Sequence, residues 1–190
     1  MNRISTTLGV TAMALAGLVL SAEDFQPLMN TTRTTWPEKH HIGVICNYPA
    51  NKVEIEALAM AAGESARITV VDARRIDQAG VAASLLASHR ADFVVLMPHD
   101  RYFREGSYGS TIAVNQLALW GVPSIGTTPK ALKQGATFSV GDGTEGQILV
   151  SARLIGTVHV ILPNSAVTSQ KSSLVLHREG MATIVVKSAE

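Results

Sequence analysis

From residue 41 onward, short apolar runs alternate with longer stretches whose apolar residues recur at helical spacing. Ile42-Gly43-Val44-Ile45-Cys46 reads as a strand, broken by Asn47-Tyr48-Pro49. Val53, Leu58 and Met60 fall in an Ala-rich helix that ends at Gly63. Ile68 to Val71 is a second strand, and Asp77 to His89 a helix with Val81, Leu85 and Leu86 on one side. Phe93 to Met97 is a third strand, stopped by Pro98. Ser107 to Trp120 is a helix turned by Gly121, and Val122 to Ile125 a fourth strand. Pro129 opens a short helix that closes at Gly135. Ala136 to Val140 is a fifth strand, followed by an expected helix from Asp142 to about Val160. The tail reads as strand, turn and strand: Ser173 to Leu176, then Arg178-Glu179-Gly180, then Ala182 to Val186. A single strand followed by a docking segment is the alternative there.

Strands that are apolar on both faces, alternating with helices, imply a parallel sheet covered on both sides. Right-handed crossovers then favour a doubly wound, flavodoxin-like three-layer α/β fold. Residues 41–190 are expected to form it as a single lobe, since 190 residues suit one domain.

The N-terminal part differs. Met1-Asn2-Arg3 is a short basic start, Leu8 to Leu20 is apolar with small residues, and Glu23-Asp24 follow. This is the pattern of a signal peptide over residues 1–22, with a retained membrane anchor as the alternative. Residues 23–40 carry polar, Thr- and Pro-containing sequence, expected to be a linker or loosely packed arm. Export to the bacterial periplasm is the expectation. The one cysteine, Cys46, excludes an internal disulfide, and its place at the end of an apolar run suggests a buried thiol.

Charge narrows the partners. The formal net charge is +1, and losing Arg3 with the leader brings it to zero. No basic stripe marks a nucleic-acid binder, and Arg74-Arg75 is the sole adjacent basic pair, read as a solvated helix start.

In an open parallel sheet, ligands bind beyond the carboxyl ends of the strands, where loops and helix N-termini converge. The candidate ligand-binding residues therefore lie in four loops: Asn47 and Tyr48; His99, Asp100, Arg101 and Tyr102; Thr127 and Thr128; Gly141 and Asp142. The second loop joins a carboxylate, an imidazole, a guanidinium and aromatic rings, the chemistry a small-molecule site uses. Asp100, Thr127, Thr128 and Asp142 have helix or turn capping as their alternative reading.

Catalytic patterns are sparse. Gly141-Asp142-Gly143-Thr144-Glu145-Gly146 has the G-x-G-x-x-G spacing, but it follows the fifth strand rather than opening a dinucleotide unit. No G-x-S-x-G elbow occurs. His40-His41 could bind a metal only with partners from elsewhere in the chain, and reads instead as an exposed domain start. His99 with Asp100 is the one candidate acid–base pair. No cofactor and no catalytic residue are expected.

Four segments carry a family likeness. They are Ile42 to Pro49; Ala91 to Asp100 with its Pro-x-Asp loop; Gly121 to Thr128 with Gly135 to Gly141; and Leu174 to Arg178. In order and spacing they resemble the second lobe of bacterial ABC transporter substrate-binding proteins with a type I periplasmic-binding-protein fold. The resemblance implies a non-enzymatic binding role, with Asp100 and the loops near Asn47, Thr127 and Gly141 facing a ligand. The family closes two lobes on its ligand, whereas here only about 20 residues precede the lobe after the leader. The second wall would then come from a partner such as a membrane transporter or sensor kinase, or from a second copy in a homodimer. A small solute or a protein partner is thus the expected occupant.

Overall fold

The computed structural model describes residues 21–140, 148–150 and 174–189. The leader read over residues 1–22 lies almost entirely outside them. No helix among the described residues is long and apolar enough to cross a membrane.

The sheet is built from β1 (His41–Cys46), β2 (Arg67–Asp72), β3 (Phe93–Leu96), β4 (Ser124–Gly126), β5 (Phe138–Val140), β6 (Ile148–Val150), β7 (Leu174–Leu176) and β8 (Thr183–Ser188). Their spatial order is β6-β5-β4-β3-β1-β2-β8-β7. Pairings from β5 across to β8 are parallel, and β5–β6 and β7–β8 are antiparallel. The central order β2-β1-β3-β4-β5 is the flavodoxin-like one. The expected doubly wound α/β fold is present.

Helices α2 (Tyr48–Ala62), α3 (Ala79–Ser88), α4 (Tyr108–Leu119) and α5 (Pro129–Lys133) connect the parallel strands. The chain steps one way from β1 to β2 and the other way from β2 through β5. Right-handed crossovers therefore put α2 on one face and the later helices on the other. The side chains follow the two-residue period of the strands. Ile42, Val44 and Cys46 join the core under α2, while Ile45 joins Val71, Val94 and the residues of α3 and α4. Gly43 lies under α3, where an added Cβ would sit 2.9 Å from Val94 Cγ2 and 3.0 Å from Leu86 Cδ1.

Three sequence expectations are corrected. Residues 23–40 are not an aperiodic arm: α1 (Ala22–Thr35) is a helix whose Phe25, Leu28, Met29 and Thr32 are buried in the core beside α2. Asp24 accepts the Ser21 N–H at 2.6 Å and fixes its start, and Arg33 donates to the Ala61 and Ala62 carbonyls at the end of α2. Within the helix expected after Asp142, Ile148–Val150 is instead a strand, antiparallel to β5. Its β-branched ends suit extended pairing. Val81 stands 49% exposed, because α3 turns its Ala and Leu residues to the sheet. The tail forms the expected strand-turn-strand, with β8 running parallel to β2 after the turn.

Candidate functional site

Because connections leave β1 and β3 in opposite directions, the topological switch point lies between these two strands. The loops beyond their carboxyl ends hold Asn47 on one side and Pro98 to Ser107 on the other. Asp100, Asp72, Glu105 and Glu54 organise the described part of this edge.

Asp100 is fully buried. Its Oδ1 accepts the N–H groups of Tyr102 at 2.8 Å and Phe103 at 2.7 Å. Its Oδ2 accepts the Asn47 N–H at 2.9 Å and the Asn51 side-chain amide at 2.7 Å. Four N–H dipoles replace the water that a carboxylate loses on burial. The residue expected to face a ligand therefore faces inward and joins the two switch-point loops, which is its capping alternative.

Asp72, at the end of β2, accepts the Tyr48 N–H at 3.0 Å through Oδ1 and pairs with Arg74 at 2.7 Å through Oδ2. The opening N–H groups of α2 thus point to two carboxylates, a favourable charge at a helix N-terminus. Arg74-Arg75 lies on this exposed connection, ahead of a short 3-10 turn at Ile76–Gln78.

Glu105 is buried, and no feature of the sequence marked it. Its Oε1 accepts from the Thr127 N–H at 2.5 Å and the Thr127 hydroxyl at 3.0 Å. Its Oε2 accepts from the Thr128 N–H at 2.9 Å and from the Thr128 hydroxyl. Burial raises the Glu105 pKa, and the Thr127 and Thr128 hydrogen bonds offset only part of that. Thr128 caps α5 by accepting the Lys130 N–H at 3.3 Å. The approach of α5 requires Gly126, where a Cβ would lie 2.2 Å from Ala131 Cβ.

His99 and Asp100 do not hydrogen-bond each other, and the candidate acid–base pair is not formed. The His99 Nδ1 lies 2.9 Å from Glu54 Oε1, on α2. Glu54 is buried and the His99 side chain is 44% exposed, so the carboxylate orients the ring from beneath. No hydroxyl or thiol among the described residues hydrogen-bonds His99. Burial, then the charges of Asp100, Asp72 and Glu54, push the Cys46 thiol well above its usual range, which makes it a poor nucleophile. The described residues hold no group of three or more His, Cys, Asp or Glu suited to a metal ion.

Among the described residues, the β3–α4 connection presents cationic and aromatic groups outward. Arg101, Arg104 and Tyr108 are exposed, and Tyr102 is half-buried with the Arg101 guanidinium 5.2 Å from its ring centroid. Arg101 and Arg104 form no ion pair with the described residues. Asn47, Thr127 and Thr128 are half-buried, with their N–H groups already committed to Asp100 and Glu105. Tyr48 is buried, its hydroxyl without a partner among the described residues. Gly141 and Asp142 lie outside the described residues. The structure thus brings Asn47 and Asp100 together, sets His99 on α2 through Glu54, and ties Thr127 and Thr128 to the loop that carries Arg101 and Tyr102.

No protein-family model matches this sequence, and no curated protein matches it.

Proposed function

We propose that this chain is an exported, non-enzymatic binding protein of one lobe, similar to the second lobe of periplasmic solute-binding proteins. It recognises an anionic solute at the carboxyl edge of its sheet. The observation that carries this reading is the division of labour in the β3–α4 loop. Asp100 and Glu105 consume the inward N–H donors, while His99, Arg101 and Arg104 stand outward, with Tyr102 beside Arg101, on a loop held at both ends. Anchored loops with displayed guanidinium and aromatic groups suit recognition of a carboxylate or phosphate with little ordering on binding.

The test is a screen of small anionic solutes by thermal shift and calorimetry, repeated on an Arg101→Ser/Arg104→Ser variant. Binding to the parent chain that weakens at least about tenfold in the variant, with circular dichroism unchanged, supports the reading. An absence of binding, or binding indifferent to both substitutions, overturns it.

A second reading is a sensory or assembly subunit that pairs with a membrane transporter or sensor kinase. Tyr108, 72% exposed on the first turn of α4, favours it, since tyrosine is enriched at protein interfaces. Tyr108→Ser separates the two: it abolishes capture of a membrane partner and leaves solute binding within about twofold.

A further inference from the structure

A cavity of about 230 Å³ opens at the opposite, amino end of the sheet. Its floor is apolar and buried: Met29 from α1, Ile42 at the start of β1, Ala66 before β2 and Phe93 at the start of β3. Its rim carries Arg33, Lys39 and His40, and no carboxylate among the described residues lines it.

The cations are held in place. Arg33 donates to the carbonyls of Ala61 and Ala62 and to Asn30 Oδ1. The Lys39 ammonium sits 4.5 Å from the Trp36 ring centroid, and that ring packs on Phe93 at 5.8 Å and Phe138 at 5.3 Å. Lys39 has no ion-pair partner among the described residues. Asp92, just before β3, is committed to the His40 and His41 N–H groups at 3.0 and 2.8 Å. The backbone beside the rim is thereby fixed, and the local positive charge has no lining acid among the described residues.

We propose that this cavity is a binding site for a small aromatic monocarboxylate, its ring on the Met29–Ile42–Phe93 floor and its carboxylate at Lys39 and Arg33. Size agrees: a cavity of about 150 Å³ accepts benzene, so the larger volume here accommodates a ring with a short carboxylate arm. Chemistry agrees as well, because an apolar pocket with a few convergent polar groups both holds and orients such a ligand. The lining selects against cations, which would meet like charge, and against neutral isosteres, which forgo the ion pair. The site is separate from the carboxyl edge and does not rest on the role proposed there.

The experiment is a ¹⁵N–¹H NMR titration of the full chain with phenylacetate, phenylacetamide and phenethylamine. Saturable shifts confined to amides near residues 29–33, 36–42, 62–66 and 93 are expected for phenylacetate, with Kd below about 1 mM. The amide is expected at least about tenfold weaker and the amine silent. Lys39→Gln is expected to weaken phenylacetate about tenfold, while Lys130→Gln, on α5, leaves it unchanged. Ala66→Leu, which fills the floor, is expected to abolish binding with circular dichroism intact. If that variant fails to fold, Lys39→Gln decides. Absence of saturable shifts up to about 10 mM, shifts elsewhere, or equal binding of acid and amide overturns the proposal.

Discussion

The side-chain amide of Asn51 donates to Asp100 Oδ2 across 2.7 Å inside the protein, fastening α2 to the loop that follows β3. Asp100 is the hub of that contact, with three backbone N–H groups on its remaining capacity. Asp100→Ala is expected to destabilise the fold by about 3–5 kcal/mol, since buried donors left unpaired keep their desolvation penalty. Asp100→Asn retains acceptors and is expected to lose less. Urea unfolding measures both. A change under about 0.5 kcal/mol for Asp100→Ala is the result expected of an exposed ligand contact instead.

The fold makes α1 part of the domain. Phe25 and Leu28 are fully buried against α2 and the sheet. Leu28→Ala is expected to cost about 2–5 kcal/mol and Phe25→Ala about 3–5 kcal/mol. Denaturant midpoints that stay at the parental value would show that the helix is an appendage.

Gly109 sets the closeness of α4 to the displayed loop. An added Cβ would stand 2.4 Å from the Tyr102 carbonyl oxygen, a backbone atom that has little room to retreat. Gly109→Ala is expected to cost about 1–3 kcal/mol through overpacking. It is also expected to weaken any binding that depends on Arg101. Thermal unfolding and calorimetry on the same sample read both effects.

Acid sensitivity follows from His41. Its Nδ1 lies 3.0 Å from the Arg90 carbonyl and its Nε2 2.7 Å from the Thr69 hydroxyl. The neutral ring with its proton on Nδ1 satisfies both contacts. Burial, then the charge of Arg67, lowers its pKa. Below the ordinary value of about 6.5, the unfolded chain therefore binds more protons than the folded one, and stability falls as pH drops. Burial lowers His89 likewise, with Lys187 and Arg67 adding to it. The urea midpoint is expected to decline from about pH 7 toward pH 5, and His41→Gln to flatten that decline.

Glu105 acts with the opposite sign. Its pKa is raised by burial, so its contribution is fully present below the ordinary carboxylate range and diminishes as pH rises through the folded value. The stability of Glu105→Gln relative to the parent is expected to improve as pH rises from about 4 to 7. A difference independent of pH would remove burial as the dominant influence on this carboxyl.

The βα units were legible because their strands are apolar on both faces, a pattern that only a covered sheet requires. The first helix was obscured although its signal was present. Phe25, Leu28, Met29 and Thr32 stand at i, i+3, i+4 and i+7. Pro27 and the Thr-rich stretch hid that stripe, as did an apolar leader pattern immediately ahead of it. The place of the candidate residues in the fold was legible, and their orientation was not. Pro98 to Tyr102 does lie beyond the carboxyl end of β3, but an aspartate that caps and an aspartate that binds look alike in one dimension. Glu105 was invisible for a related reason. Its partners, Thr127 and Thr128, become neighbours only once the loop folds back across β4.

The place of β8 between β2 and β7 has a kinetic consequence. Arg67 pairs with Thr183 and Asp72 with Ser188, so the outer flank of β2 waits for a strand synthesised long after β1, β3 and β4 can assemble. Until it arrives, a run of apolar, β-branched residues keeps open backbone donors and acceptors on that flank, a template for pairing between chains. Closing so long a loop also raises contact order and slows the last step of assembly. Nascent or partly unfolded chains are thus most exposed to mutual association at β2, and a holding chaperone would act on that flank.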